Sequence, residues 1–185
     1  MSALWSYLWP LVVMGLISGV IAGAVGFRAI QPVSYDSLVP PPPAPSHYRR
    51  KRLISLGLGF TAALVAAPIW SGPLGSGDRF ATTIERQARE ALDYYEMPKV
   101  TAHLHRGPLT RRLVLKGPAD DWQQGELVRL FSQLPGVSDA QWSSSPAGMP
   151  LVLEGVAVSV LGFLSGLALA YLLELRRRYN AQWKW

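Results

Sequence analysis

Three long apolar runs divide this chain, and nearly all of its charge lies between or beside them. Leu151 to Leu173 is the clearest, 23 residues with Glu154 as the only charge. A bilayer core about 30 Å thick is crossed by roughly 20 apolar residues of helix at about 1.5 Å per residue. That run therefore predicts a spanning helix. Leu4 to Gly26 carries no charge and predicts another, with Trp5, Tyr7 and Trp9 at its start, where an aromatic belt lies in the membrane interface. A cleavable signal peptide is the competing reading, since Ala22-Gly23-Ala24 is a small-residue site, but no positive segment precedes the run and the run is too long. Leu53 to Trp70 is shorter, at 18 residues, rich in glycine and alanine, and predicts the third span.

The stretch between the last two runs has a different period. From Asp78 to Met97, Phe80, Ile84, Ala88, Ala91, Leu92 and Tyr95 recur at three and four, with charged residues on the other faces, which predicts an amphipathic helix. Lys99 to His105 alternates, a Gly107-Pro108 turn follows, and Leu113 and Leu115 point one way from Arg111 to Lys116, a hairpin with one covered face. Asp120 offers an N-cap with Gln123 three residues on, and Leu127, Leu130, Phe131 and Leu134 form the stripe of a second helix that Pro135-Gly136 stops. Val137 to Trp142 predicts a last short strand. The expected fold is thus three transmembrane helices plus a small extramembrane α+β domain of order αββαβ, flanked by Gly, Ser and Pro linkers at 71–77 and 143–150.

Charge sets the expected topology. The net charge of +6 suggests a nucleic-acid surface until it is divided by segment. Residues 1–52 hold five basic and one acidic residue, 53–70 none, 71–150 nine of each, and 151–185 four against two. The excess lies beside the spans, where cytoplasmic flanks collect Lys and Arg, so a topology signal replaces the nucleic-acid reading. Arg49, Arg50, Lys51 and Arg52 precede one span and Arg176, Arg177 and Arg178 follow another. The chain is then expected to divide into helix 1 (1–27, N-terminus outside), a cytoplasmic Pro-rich basic loop (28–52), helix 2 (53–70), an outside domain (71–150), helix 3 (151–175) and a cytoplasmic basic tail (176–185). In a bacterium this is the inner membrane, with 71–150 in the periplasm. The same basic residues could bind anionic phospholipid headgroups, at about 1 kcal/mol each near the surface. Pro40 to Pro43 would hold the loop as a stiff polyproline II strap, able to dock on an aromatic groove. With no cysteine, disulfides and thiolate chemistry are excluded.

Small residues form rows on two spans. Gly15, Gly19 and Gly23 fall at i, i+4 and i+8, with Ser18, Ala22 and Gly26 in a parallel row, and Gly162, Gly166 and Ala170 repeat the pattern. In lipid such rows let helices approach closely and gain van der Waals contact. Two rows exceed what packing three helices needs, which leads to an expectation of other integral membrane subunits as partners.

Leu113-Val114-Leu115-Lys116-Gly117, then a helix, then Leu134-Pro135-Gly136-Val137-Ser138-Asp139-Ala140, resembles the BON domain, a small αββαβ module of bacterial envelope proteins. The resemblance covers roughly residues 80–142. It implies a non-enzymatic module that binds membranes, lipids or partner proteins, and it transfers no catalytic residue.

Candidate chemistry is sparse. His103 and His105 project from one strand face and could hold a metal only if a carboxylate joined them, while His47 lies across the membrane. Asp120-Asp121 reads as a helix cap rather than an acid/base pair. No Walker loop, GxSxG elbow, HExxH or dinucleotide fingerprint occurs, Ser18, Ser55 and Ser159 have no neighbouring base, and no histidine lies within a span. Glu174 can pair with Arg178 at i+4. Glu154, one turn inside the outer boundary, is expected to be hydrated or to meet a basic group of a partner. The expectation is a non-enzymatic structural or accessory subunit without cofactor or metal. The alternative is a free-standing envelope protein whose domain binds anionic phospholipid.

Overall fold

The structure is a computed structural model that describes residues 3–28, 46–143 and 148–182, with side chains at 3–27, 49–143 and 148–180. The Pro40 to Pro43 strap and the side chain of His47 lie outside the described residues. In chain order the elements are α1 (Ala3–Arg28), α2 (Ser46–Ser71), α3 (Ser76–Tyr94), β1 (Thr101–Arg106), β2 (Leu109–Lys116), α4 (Asp121–Ser132), β3 (Asp139–Trp142) and α5 (Leu151–Gln182). The αββαβ order is present between the second and third long helices. Residues Ala3–Phe27, Arg49–Ser71 and Leu151–Asn180 are long and apolar enough to cross a membrane, which marks a multi-pass membrane protein. α2 begins ahead of Leu53 and α5 continues past Arg178, so both basic clusters are helical. The chain forms two compact units, one of Met1–Pro10 and Ala67–Gly155, the other of Leu11–Ala66 and Val156–Trp185.

In the first unit the strands form a sheet of order β1-β2-β3. β1 and β2 are antiparallel and can be joined by a tight turn, whereas β2 and β3 are parallel and need a crossover, which α4 supplies. The register places Ala102 opposite Leu115, and Leu104, Leu113 and Ala140 in one row, so a single face carries the apolar side chains. α3 lies against β1 and α4 against β3 and β2. Phe80, Ile84, Ala88 and Leu92 from α3 and Leu127 and Phe131 from α4 are buried with them. Gln123 accepts the Asp120 N–H at 3.1 Å, one half of a reciprocal capping box that starts α4.

Two glycines are required by the backbone. Gly117 ends β2 at φ 151, where a Cβ would lie 2.7 Å from the Lys99 carbonyl oxygen. Gly136 follows α4 at φ 109, where a Cβ would lie 2.8 Å from Ile84 Cδ1. Side chains are disfavoured at both angles, and at Gly117 the main chain of Lys99 and Val100 also leaves no room for one. The stretch expected as a linker at 71–77 is instead a hydrogen-bonded turn, with Gly72 N–H donating to Pro68 O at 3.0 Å and Gly75 N–H to Gly72 O at 2.9 Å, before α3 starts at Ser76.

In the second unit α1 and α5 run parallel and α2 runs against them. A Cβ on Gly15 would fall on the Ser159 carbonyl oxygen and one on Gly19 on that of Phe163. From the other side, a Cβ on Gly162 would lie 2.6 Å from Val12 O, and one on Gly166 would fall on Leu16 O. Each glycine therefore brings its Cα hydrogens to a carbonyl of the facing helix, the geometry of Cα–H···O contacts. Gly23 faces Ala170, whose Cβ would be 2.5 Å away. The second row of α1 meets α2: a Cβ on Gly59 would be 2.6 Å from that of Ala22, and Ser55 Oγ donates to Ala22 O at 3.1 Å. Phe163, Ala22 and Ala63 form the small core, with Leu56 and Leu167 against it. The Ser159 hydroxyl is buried with no hydrogen-bond partner among the described residues.

Candidate functional site

The first unit holds the leading turns of α1 and α5 and the last turn of α2 beside the α/β module. Side-chain contacts join them where they meet. Tyr7 shows why. Trp5 and Trp9 stand one turn apart on one face of α1, exposed, with ring centroids 5.8 Å apart. Tyr7, at i+2, points the opposite way and is 2% exposed, so it is not part of the aromatic belt expected of all three residues. Its ring centroid is 6.0 Å from that of Phe80, and its hydroxyl shares a hydrogen bond with Ser71 Oγ. Trp70 Nε1 donates to the Tyr7 carbonyl at 3.1 Å, and Ser76 Oγ donates to the Trp70 carbonyl. Tyr7→Phe is expected to lower stability by about 1 kcal/mol through the lost hydroxyl contact, and Tyr7→Ala by about 3 kcal/mol through the added cavity. Thermal unfolding in detergent measures both.

An ion pair makes the second fastening. Arg111 shares the strand parity of Leu113 and Leu115, at the end of β2 where the apolar core runs out. Its Nε donates to Gly136 O at 3.0 Å and its Nη1 to Glu154 Oε2 at 2.9 Å. The side chains are 22% and 21% exposed. Glu154, expected to be hydrated or to meet a basic group of a partner, pairs with an arginine of its own chain. A carboxylate in the first turn of α5 also suits the positive end of that helix. The signal in the sequence that could have joined them is that both are charges at apolar positions, one on a core-facing strand parity and one in a spanning run. Each is the natural counterion of the other.

Beside this junction is a cleft of about 370 Å³, lined by Pro68, Ser71, Gly77, Leu109 and Leu151, with Asp78 as the charged group on its wall. Among the described residues no second charge lines the cleft beside Asp78. On β1, His103 Nδ1 lies 3.9 Å from Glu85 Oε1, but that carboxylate already accepts the Leu104 N–H at 3.1 Å and Arg106 Nη2 at 2.8 Å. His105 Nδ1 sits 3.1 Å from Pro108 O. No group of three or more metal-ligating side chains occurs among the described residues.

Of the residues singled out in the sequence, Gly15, Gly19, Gly23, Gly162, Gly166 and Ala170 come together in the second unit. Among the described residues both rows of α1 are occupied within the chain, one by α5 and one by α2, so these rows do not by themselves call for a partner. Arg49, Arg50 and Lys51 are exposed, and Arg52 stacks its guanidinium 5.8 Å from the Phe27 ring centroid. Phe27 in turn meets Tyr171 edge-on at 5.7 Å, which brings the two basic clusters to one end of this unit. Arg178 Nε pairs with Glu174 at 3.3 Å, while Arg176 and Arg177 are exposed. Comparison of the chain with family models, curated proteins and solved structures finds no match.

Proposed function

We propose that this protein is a non-enzymatic accessory subunit of a larger membrane assembly, holding a BON-like interaction module against the outer face of a bacterial inner membrane. The observation that carries the reading is the fastening in the first unit. Phe80 against the Tyr7 ring, Ser76 with the Trp70 carbonyl, and Arg111 with Glu154 tie the module to residues from all three long helices. A module fastened to the helix ends of its own unit suits a scaffold contact, because pre-organisation reduces the entropy lost when a partner docks. A domain that searches a lipid surface has no need of such ties. The glycine rows lend nothing to this reading, since they are occupied within the chain.

The basic clusters support a topology with residues 71–150 periplasmic. Two measurements test the proposal. A reporter fused near Gly77 is expected to be active in the periplasm, and cytoplasmic activity would reverse the arrangement. Isolation in mild detergent is expected to give a mass well above that of one chain, with other chains associated; a well-behaved lone monomer would defeat the accessory-subunit reading.

A further inference from the structure

The end of the module opposite Ser71 and Leu151 carries a group of side chains that neither the core nor the fastening uses. Thr101 pairs with Lys116, so the start of β1 and the end of β2 lie side by side there. Gly117 packs on Lys99 and Val100. The C-terminus of α3 and the N-terminus of α4 therefore share this end. On it Tyr94 is 82% exposed, Trp122 76% and Tyr95 45%, with the two tyrosines edge-on at 5.3 Å. Large aromatic side chains left in water at one place mark a docking surface, because they bury much area at little cost in side-chain entropy.

A partner reaching this module must use side chains. The outward N–H of Leu104 on β1 is taken by Glu85, and Arg89 donates to the carbonyl of Val100 at 3.3 Å. On the opposite edge the Ala140 N–H donates to Ser132 Oγ at 3.3 Å. Both strand edges are thus blocked at their centres, which disfavours strand addition.

Charge narrows the partner further. Glu90, Asp93 and Glu96 lie within about a turn of Tyr94 at the end of α3, and Asp120 and Asp121 precede Trp122 at the start of α4, against Arg89, Lys99 and Lys116. Arg89 is already engaged, 2.9 Å from Asp93 and donating to the Pro98 and Val100 carbonyls. The other end of the module has the reverse balance, with Arg79, Arg106, Arg111 and Arg112 against Asp78, Glu85 and Asp139. An anionic bilayer surface would be repelled by the aromatic end. A cation is favoured there twice, by the carboxylates and by the ring faces.

We infer that this end is the docking surface for a basic polypeptide segment, an Arg- or Lys-rich stretch of another subunit. Its cations lie over Tyr94 and Trp122 and pair with Glu96, Asp120 and Asp121. The inference rests on the accessory-subunit reading and specifies the contact through which it operates.

The test uses the full chain in non-ionic detergent at low salt and follows the anisotropy of a labelled oligoarginine peptide. Oligoarginine is expected to bind and oligoglutamate to bind far more weakly. The double variant Tyr94→Ser/Trp122→Ser and the charge variant Glu96→Gln/Asp121→Asn are each expected to weaken binding at least about tenfold. Because all four side chains are exposed, circular dichroism and the unfolding temperature should stay near those of the parent. Glu126→Gln, further along α4, should change binding little. Equal affinity for both peptides, unchanged binding in both multiple variants, or tip-dependent capture by phosphatidylglycerol vesicles in place of the peptide would overturn the inference. If associated subunits co-purify and remain after both multiple variants, the docking surface is wrong and the accessory reading stands. A lone monomer that still binds oligoarginine through Tyr94 and Trp122 would instead remove the accessory reading and leave the docking surface standing.

Discussion

Replacing Gly166 with leucine is expected to force α1 and α5 apart and to lower stability by about 3 kcal/mol, the upper part of the range for overpacking a well-packed contact. A Cβ at this position would fall on the Leu16 carbonyl oxygen and lie 2.9 Å from the Val20 nitrogen and 3.0 Å from Gly19 Cα. All three atoms are main chain, so no rotamer change can make room. The helices must separate, and contact is lost along the whole seam from Gly15 to Ala170. Gly57→Leu is the matched comparison, because a Cβ on Gly57 meets nothing within 4 Å among the described residues. That substitution also gains intrinsic helix propensity, about 1 kcal/mol. Unfolding of the two variants by heat or graded denaturing detergent should therefore differ widely, with Gly57→Leu at or above the parent. Coincident transitions would show that α1 and α5 are not closely packed.

Arg111→Ala is expected to cost about 2 kcal/mol. Breaking a fully buried pair costs about 3–5 kcal/mol because one charge is left stranded. Here both side chains are about one-fifth exposed, at 22% and 21%, so water recovers part of that cost. Gly136 O also loses its donor, which loosens the turn that leads into β3. Replacing both members, as Arg111→Met/Glu154→Leu, removes the stranded charge and should recover most of the loss. Hydrogen exchange in β2 and in the first turn of α5 should rise in the single variant and return towards the parent in the double. If single and double variants are equally destabilised, the pair contributes packing only and its charges are incidental.

Both results depend on relations that differ in how local they are. The existence of three spans was legible because burial in lipid demands an unbroken run of apolar residues, a property of composition along one segment. The helix, hairpin and second helix of the module were legible for a similar reason, since Phe80, Ile84 and Ala88 or Val100, Ala102 and Leu104 declare their period within a few residues. Element ends were less legible. α2 begins at Ser46 because Arg49 to Arg52 are good helix formers whose charges are no obstacle outside the bilayer, and nothing apolar marks that boundary.

What a helix row faces is a different kind of fact. Gly15, Gly19 and Gly23 announce a close contact, but the identity of the facing surface is settled by the three-dimensional arrangement of α1, α2 and α5, which here supplies it from the chain itself. Tyr7 is grouped with Trp5 and Trp9 by proximity in sequence, yet helical geometry turns it to the opposite face, where Phe80 and Ser71 surround it. Arg111 and Glu154 lie 43 residues apart, so no window of sequence contains both. The linear chain thus dictates which segments enter lipid and which alternate around a core, because those are repeated one-dimensional demands on side-chain polarity. Which charge answers which, which row is already occupied, and which aromatic residues remain uncovered follow only from packing, because each depends on residues brought together by the fold from far along the chain.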